Sequence, residues 1–212
     1  MARRKHAVLK RNNRLLMNLE ASLQSLRNVL SAIGEISNEQ WNKMAAIWQP
    51  FAAKRKELLT CESEVERYAY FVIDGVQRVY HFDEQNREAT IVFSYAPSFG
   101  GVIDSMLLQI PSAYFYETLT ASTFLRAKAT DLLALMEQDA GLAQLMYKGV
   151  THALSGIMER MVELQCYSSE DKFRKLLSRS PHILTLVPHK YLANYLGIDA
   201  TNFSKLVNKV RI

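Results

Sequence analysis

At 212 residues, with hydrophobic residues at 49% and charged residues at 22%, the chain has the balance of a globular protein with a buried core, not of a disordered or fibrous one. Its apolar runs fall far short of the roughly 18 residues that a membrane-spanning helix needs, and its basic start lacks the continuous apolar core of a secretory signal, so a cytoplasmic location is expected. The formal net charge of +5 is unevenly spread: residues 1–20 carry six Lys/Arg against one acid, 21–170 twelve against eighteen, and 171–212 eight against two, which makes a polyanion the partner expected of the basic C-terminal segment.

After the basic leader, apolar residues between Ala21 and Trp48 recur at helical spacing: Leu23, Leu26, Leu30 and Ile33, then Trp41, Met44, Ala45 and Trp48. Ser37 with Gln40 three residues on has the form of a capping box, which divides the stretch into two helices. From Phe51 to about Ala129 the pattern changes to short β-rich runs at Tyr68–Asp74, Val76–Phe82, Glu88–Phe93, Tyr114–Thr120 and Ser122–Ala129. Asp74-Gly75 is the residue pair of a tight hairpin turn, and Asp83–Arg87 reads as a polar loop between strands. Short strands at this spacing predict a sandwich, roll or barrel.

Thr130 is the expected N-cap where helix returns, and a longer helix is predicted from about Gly141 to Tyr167. Along it Ala143, Tyr147, Val150, Leu154, Ile157, Met161 and Leu164 repeat at alternating steps of four and three, the seam of a coiled coil, which predicts a homodimer. Gly149, Ala153 and Gly156 form a stripe of small residues beside the seam.

The last twenty-five residues or so carry the most specific pattern. Pro188 suits a first helical turn; a helix runs to Tyr195 and stops at Leu196-Gly197, where glycine permits a left-handed backbone. Asp199 then caps a second helix from Ala200 to about Val210. Leu192, Leu196, Ile198, Phe203 and Leu206 form a small core, and Ala193 is small where the two helices cross, as in a helix-turn-helix. With Phe203 and Leu206 inward, Ala200, Thr201, Lys205 and Asn208 are the candidates for base edges of double-stranded DNA, while Lys190, Asn202, Lys209 and Arg211 are candidates for phosphates.

The order of parts resembles the Crp/Fnr family of bacterial regulators, most nearly its compact form common in Bacteroidetes. The likeness is carried by Tyr70-Phe71-Val72-Ile73-Asp74-Gly75 leading into Val76-Gln77-Arg78, by Phe99-Gly100-Gly101, by Gln109-Ile110-Pro111-Ser112, and by Val187-Pro188-His189-Lys190-Tyr191-Leu192-Ala193-Asn194-Tyr195-Leu196-Gly197-Ile198. It spans Leu23 to the C-terminus. It implies an α+β fold: N-terminal helices, a double-stranded, jelly-roll-like β-roll sensor domain, a long dimerisation helix and a C-terminal helix-turn-helix. The expected divisions are a leader at 1–20, the roll with its flanking helices at 21–137, the dimer helix at 138–168 and the DNA-binding domain at 169–212. A dimeric, DNA-binding transcriptional regulator is the implied function.

In cyclic-AMP-binding members of that family a Gly-Glu-Leu core supplies a carboxylate to the ribose, and a following Arg-Ser or Arg-Thr supplies a guanidinium to the phosphate. Here Val102 stands at the Glu position and Ser112-Ala113 where Arg-Ser is expected. Without either charge, a bound cyclic nucleotide would leave its ribose hydroxyl and phosphate unpaired, so cyclic AMP is not the expected effector. The candidate pocket is Gly100, Gly101, Val102, Ile103, Ser112, Ala113, Ile157 and Met158, with its effector unidentified. The sequence stops soon after the recognition helix, so no β-hairpin wing is expected. The basic leader is a candidate to touch DNA phosphates or RNA polymerase.

No enzyme, cofactor or metal site is expected. His6, His81, His152, His182 and His189 are scattered, and Cys61 and Cys166 are isolated. Two rival readings stay open: a signalling or protein-interaction module with a degenerate helix-turn-helix, and a true cyclic-nucleotide-responsive regulator.

Overall fold

The computed structural model describes residues 19–209. Two helices, α1 (19–33) and α2 (Asn38–Ala46), lead in. The capping box forms as read: the Gln40 N–H donates to Ser37 Oγ at 3.1 Å, and the Ser37 N–H donates to Gln40 Oε1 at 3.0 Å.

Eight strands follow: β1 (Gln49–Ala53), β2 (Leu58–Thr60), β3 (Tyr68–Asp74), β4 (Val76–Phe82), β5 (Glu88–Tyr95), β6 (Ser98–Gly100), β7 (Phe115–Thr118) and β8 (Ser122–Lys128), with a short helix α3 (Ile103–Leu108) between β6 and β7. They make two antiparallel four-stranded sheets, ordered β1-β8-β3-β6 and β2-β7-β4-β5. The chain then turns helical as α4 (Ala129–Gln138), α5 (Ala140–Cys166), α6 (Ser169–Arg179), α7 (Ile183–Leu186), α8 (His189–Leu196) and α9 (Ala200–Lys209). This is the α+β architecture of roll, long helix and C-terminal helices. Among the described residues no helix is long and apolar enough to cross a membrane.

Strand β3 shows how sequence becomes layer. Its centre, Tyr70-Phe71-Val72, is apolar without interruption because it is buried on both sides. Tyr70 and Val72 face the roll interior with Phe124, while Phe71 faces the helical layer with Leu125 of β8 and Leu26, Met44 and Leu132 of the helices. A third core belongs to the C-terminal helices and reaches into the roll through Val76 and Leu119.

Two expectations are corrected. Asp74-Gly75 is not a hairpin turn, because β3 and β4 belong to different sheets. Gly75, at φ +91°, passes the chain from one sheet to the other, and a Cβ there would run into Ser122 Oγ and the Ala121 carbonyl. Thr130 is not an N-cap: α4 starts one residue earlier behind Lys128, and Thr130 Oγ1 meets Asp131 Oδ1 at 3.2 Å. A side-chain cap appears instead at α5, where Asp139 Oδ1 accepts from the Gly141 and Leu142 N–H groups at 3.0 and 3.2 Å. The short elements β1, β2, β6 and α3 lie between the predicted runs.

Candidate functional site

The helix-turn-helix is built from local chemistry. Gly197 takes φ +63°, and the next N–H, of Ile198, donates to the Ala193 carbonyl at 2.9 Å, closing the first helix. Asp199 Oδ1 accepts from the Asn202 N–H at 2.9 Å and starts the second. Pro188 lies one position earlier than expected, as the N-cap of α8 with extended ψ of 135°, not in its first turn. Leu192, Ala193, Leu196, Ile198, Phe203 and Leu206 are all buried, and Phe173 of α6 meets Phe203 edge-on with ring centroids 5.4 Å apart.

The outer face of α9 carries Ala200, Thr201, Ser204, Lys205 and Asn208, all exposed. Asn202 is half-buried. Lys209 is exposed, but its Nζ lies 3.0 Å from Glu170 Oε2, a carboxylate held below its usual range by Arg174 and by Lys209 itself. Lys190 is exposed, with its Nζ 4.6 Å from the centre of the Tyr191 ring. Arg211 lies outside the described residues, as do residues 1–18 of the leader.

Helix α8 is joined to the roll by directed bonds. Asn194 Oδ1 accepts from the Thr90 N–H, and Asn194 Nδ2 donates to the Glu88 carbonyl, each at 2.6 Å. Beside them Arg78 of β4, buried to 3% exposure, pairs with Glu117 at 2.6 Å and with both oxygens of Glu88 at 2.6 and 2.8 Å. Its guanidinium lies 4.0 Å from the centre of the Tyr191 ring. Burial alone would lower the Arg78 pKa, but the two carboxylates hold it above the ordinary arginine value. Lys56 Nζ donates to Tyr191 Oη at 2.7 Å. From α5, Arg160 donates to the Tyr195 carbonyl and lies over that residue's ring. The sequence signals for this joint are a charged Arg78 near the centre of strand β4 and a polar Asn194 between Ala193 and Tyr195.

The roll interior is filled by the protein's own aromatic rings. Tyr70 has its ring centroid 5.5 Å from both Tyr116 and Phe124. Gly100 is glycine for a steric reason, since a Cβ there would strike the Tyr116 hydroxyl. Gly100, Gly101, Val102 and Ile103 border a different space, a cavity of about 300 Å³ lying between this segment and helices α1, α2, α4 and α5. Ser112, Ala113, Ile157 and Met158 are not among its lining residues. Ser112 instead ties its loop, with its N–H donating to the Glu64 carbonyl and its Oγ–H to the Tyr114 carbonyl, both at 2.8 Å. The Ala113 carbonyl lies 2.8 Å from His81 Nδ1.

A carboxylate unforeseen from the sequence sits at the cavity edge. Glu66, 1% exposed, accepts from Thr60 Oγ1 at 2.5 Å, from the Tyr68 N–H at 3.2 Å and from the Val102 N–H at 3.4 Å. Burial pushes its pKa above the usual carboxylate value, against the pull of those hydrogen bonds.

Of the predicted α5 seam, Tyr147, Leu154, Ile157, Met161 and Leu164 are exposed, and Met158 and Val162 widen the same apolar face. Ala143 and Val150 are half-buried toward the body of the protein. Gly149 and Ala153 of the small-residue stripe line the cavity.

No protein-family model and no curated protein sequence matches the chain. Its three-dimensional structure is similar to several solved ones. FixK2 from Bradyrhizobium japonicum superposes with a TM-score of 0.70 at 16% identity, covering 77% of this chain and 84% of that one. A putative cAMP-binding regulatory protein from Silicibacter pomeroyi gives 0.66 at 16% identity, covering 90% and 87%. The c-di-GMP-responsive global regulator CLP of Xanthomonas campestris gives 0.58 at 14% identity, covering 79% and 88%. The chain has the fold of the Crp/Fnr regulators.

Proposed function

We propose that this chain is a cytoplasmic, dimeric transcriptional regulator that reads double-stranded DNA with α9. The observation that carries the reading is the division of labour within the helix-turn-helix. Asn194, Tyr191 and Tyr195 of α8 hold the roll, while Ala200, Thr201, Lys205 and Asn208 of α9 stand exposed on a closed core. Thr201 and Lys205, one turn apart near the N-terminal half of α9, take base edges; Ala200 takes a thymine methyl, and Asn208 extends the same face. Lys190, Asn202, Lys209 and Arg211 take phosphates, with Lys209 giving up Glu170 to do so. The exposed apolar face of α5 supports pairing with a second copy, which would set two recognition helices about 34 Å apart for half-sites one helical turn apart. The basic leader adds contacts to DNA phosphates or RNA polymerase.

The sensor is proposed not to take cyclic nucleotides. Tyr70, Tyr116 and Phe124 occupying the roll interior support this, as does the protein's own Glu66 carboxylate at the Val102 N–H. Calorimetric titration with cyclic AMP and cyclic GMP should give no saturable heat, and micromolar binding would reverse this part.

A gel-shift against the DNA upstream of its own gene, at controlled salt, tests the whole. Preference for that fragment over random DNA is expected. Loss of that preference in Thr201→Ala with Lys205→Ala, at about 1–3 kcal/mol per base contact, would place the readout. Equal binding to both fragments would favour a signalling module instead.

A further inference from the structure

We infer that the cavity between the roll and its helical layer is a binding site for a small, neutral, apolar molecule carrying one hydrogen-bond acceptor. The inference deepens the sensor reading above and rests on it for regulatory meaning, though not for the binding itself.

Close-packed interiors leave few voids larger than a water molecule, and about 300 Å³ is many times that. At roughly 30 Å³ per water-sized group, the space takes about ten non-hydrogen atoms. Its lining is apolar almost throughout. Met44, Met106, Met136 and Met146 contribute four of the chain's eight methionines, and such unbranched, polarisable side chains re-pack around a guest at small expense. Ile103 and Ala153, both exposed, mark the mouth.

A second observation points to a guest with a polar atom. Trp48 lines the cavity at 5% exposure, and its indole Nε1 is the one buried side-chain polar atom among the described residues without a hydrogen-bond partner. The nitrogen itself is covered within the wall, so an acceptor on a guest meets it as the surrounding methionines re-pack. The charge of the guest follows from the remaining polar lining. Glu66 and Tyr68 are the polar side chains there, and no Lys, Arg or His stands among the lining residues described. A phosphate or carboxylate would be desolvated beside a carboxyl group with no cation to answer it. Alcohols and ketones of medium chain length fit; fatty acids and cyclic nucleotides do not.

The test uses the full-length protein with Trp41→Phe, which leaves Trp48 as the fluorophore, titrated with 1-octanol, octanoate and cyclic AMP. A saturable change in Trp48 emission with 1-octanol is expected, with octanoate at least about tenfold weaker and cyclic AMP silent. Gly149→Leu and Ala153→Phe each place a side chain in the space and should remove the response; at Gly149 an added Cβ meets only Ile33 Cδ1, at 3.7 Å. Trp48→Phe, followed by calorimetry, should weaken 1-octanol by roughly three- to tenfold. Absence of saturation with 1-octanol, or a response that survives both filled variants, would overturn the site, and equal binding of octanoate would overturn its selectivity. Binding is read on protein alone. A saturable octanol response in a protein that ignores DNA would therefore remove the regulator and keep the site, whereas operator preference with no octanol response would remove the site alone.

Discussion

The two outer faces of the roll are covered in opposite ways. Against β2-β7-β4-β5, the C-terminal helices are fastened by Asn194 on Thr90 and Glu88 at 2.6 Å and by Lys56 on Tyr191 at 2.7 Å, with Arg78, held within the sheet by Glu88 and Glu117, against the Tyr191 ring. Against β1-β8-β3-β6, α1, α2, α4 and α5 lie on apolar contacts that leave a cavity. Directed bonds permit one geometry, and a small displacement forfeits them. Apolar contact is non-directional and tolerates a change of volume more readily. The difference teaches where the molecule is able to change: the helix-turn-helix is held to the roll at a fixed angle, and the adjustable layer is the one containing the first half of α5.

Breaking the joint should have the largest effect. Arg78→Met leaves the partly buried Glu88 without a cation and Glu117 with Lys56 alone, and should lower stability by up to about 3–5 kcal/mol, measured by urea unfolding. Adding Glu88→Gln and Glu117→Gln should restore much of it, and a loss below about 1 kcal/mol in the single variant would show the joint to be no tighter than the apolar layer. Asn194→Ala removes two bonds and leaves the Thr90 N–H and the Glu88 carbonyl without their partner. It should cost about 1–3 kcal/mol and raise hydrogen exchange at Thr90. The apolar layer should respond with the reverse sign. Gly149→Leu replaces a poor helix former where an added Cβ meets only Ile33 Cδ1, so the free energy of unfolding should rise by an increment on the order of 1 kcal/mol, and the melting temperature with it; a fall would mean that the space is unavailable to a side chain.

The smallest effect is a slope with pH. Glu66 takes up its proton at higher pH in the folded chain than in the unfolded one, where the usual value is near 4.5. Between those two values the folded state holds more protons, so stability falls as pH rises through this window. Glu66→Gln should remove that fall relative to the parent protein, seen as a smaller difference between unfolding free energies at acid and neutral pH; an unchanged difference would show that the carboxyl titrates normally.

Legibility in the sequence followed range. The α8–α9 unit was readable because its determinants are neighbours: Gly197 for the turn, Asp199 for the cap, and Leu192, Phe203 and Leu206 at helical spacing. The hairpin expected at Asp74-Gly75 failed because a glycine at positive φ serves a turn within one sheet or a passage between two equally well. Which of them forms depends on β3 finding β8, some fifty residues on. Gly100 to Ile103 reach the cavity together as one contiguous segment. Ile157 and Met158 stand on the exposed face of α5, more than a turn beyond the Gly149 and Val150 that line the space. Motif spacing places residues along a chain without saying which side of a helix meets the body. The Arg78 joint needed three strands and α8 at once, so no local pattern announces it.

Helix α5 runs for 27 residues without a break, about 40 Å at 1.5 Å per residue. Its early turns wall the cavity and Arg160, near the far end, grips Tyr195. Such a rod acts as a lever with its fulcrum at the sheet. From Leu142 at the cavity to Arg160 is about 27 Å, so a tilt of about 5° at the cavity end moves Arg160 by roughly 2.4 Å. Asn194 keeps α8 on the roll, so an occupant no larger than an octanol molecule is thereby able to part Arg160 from Tyr195 and release α5 from α8.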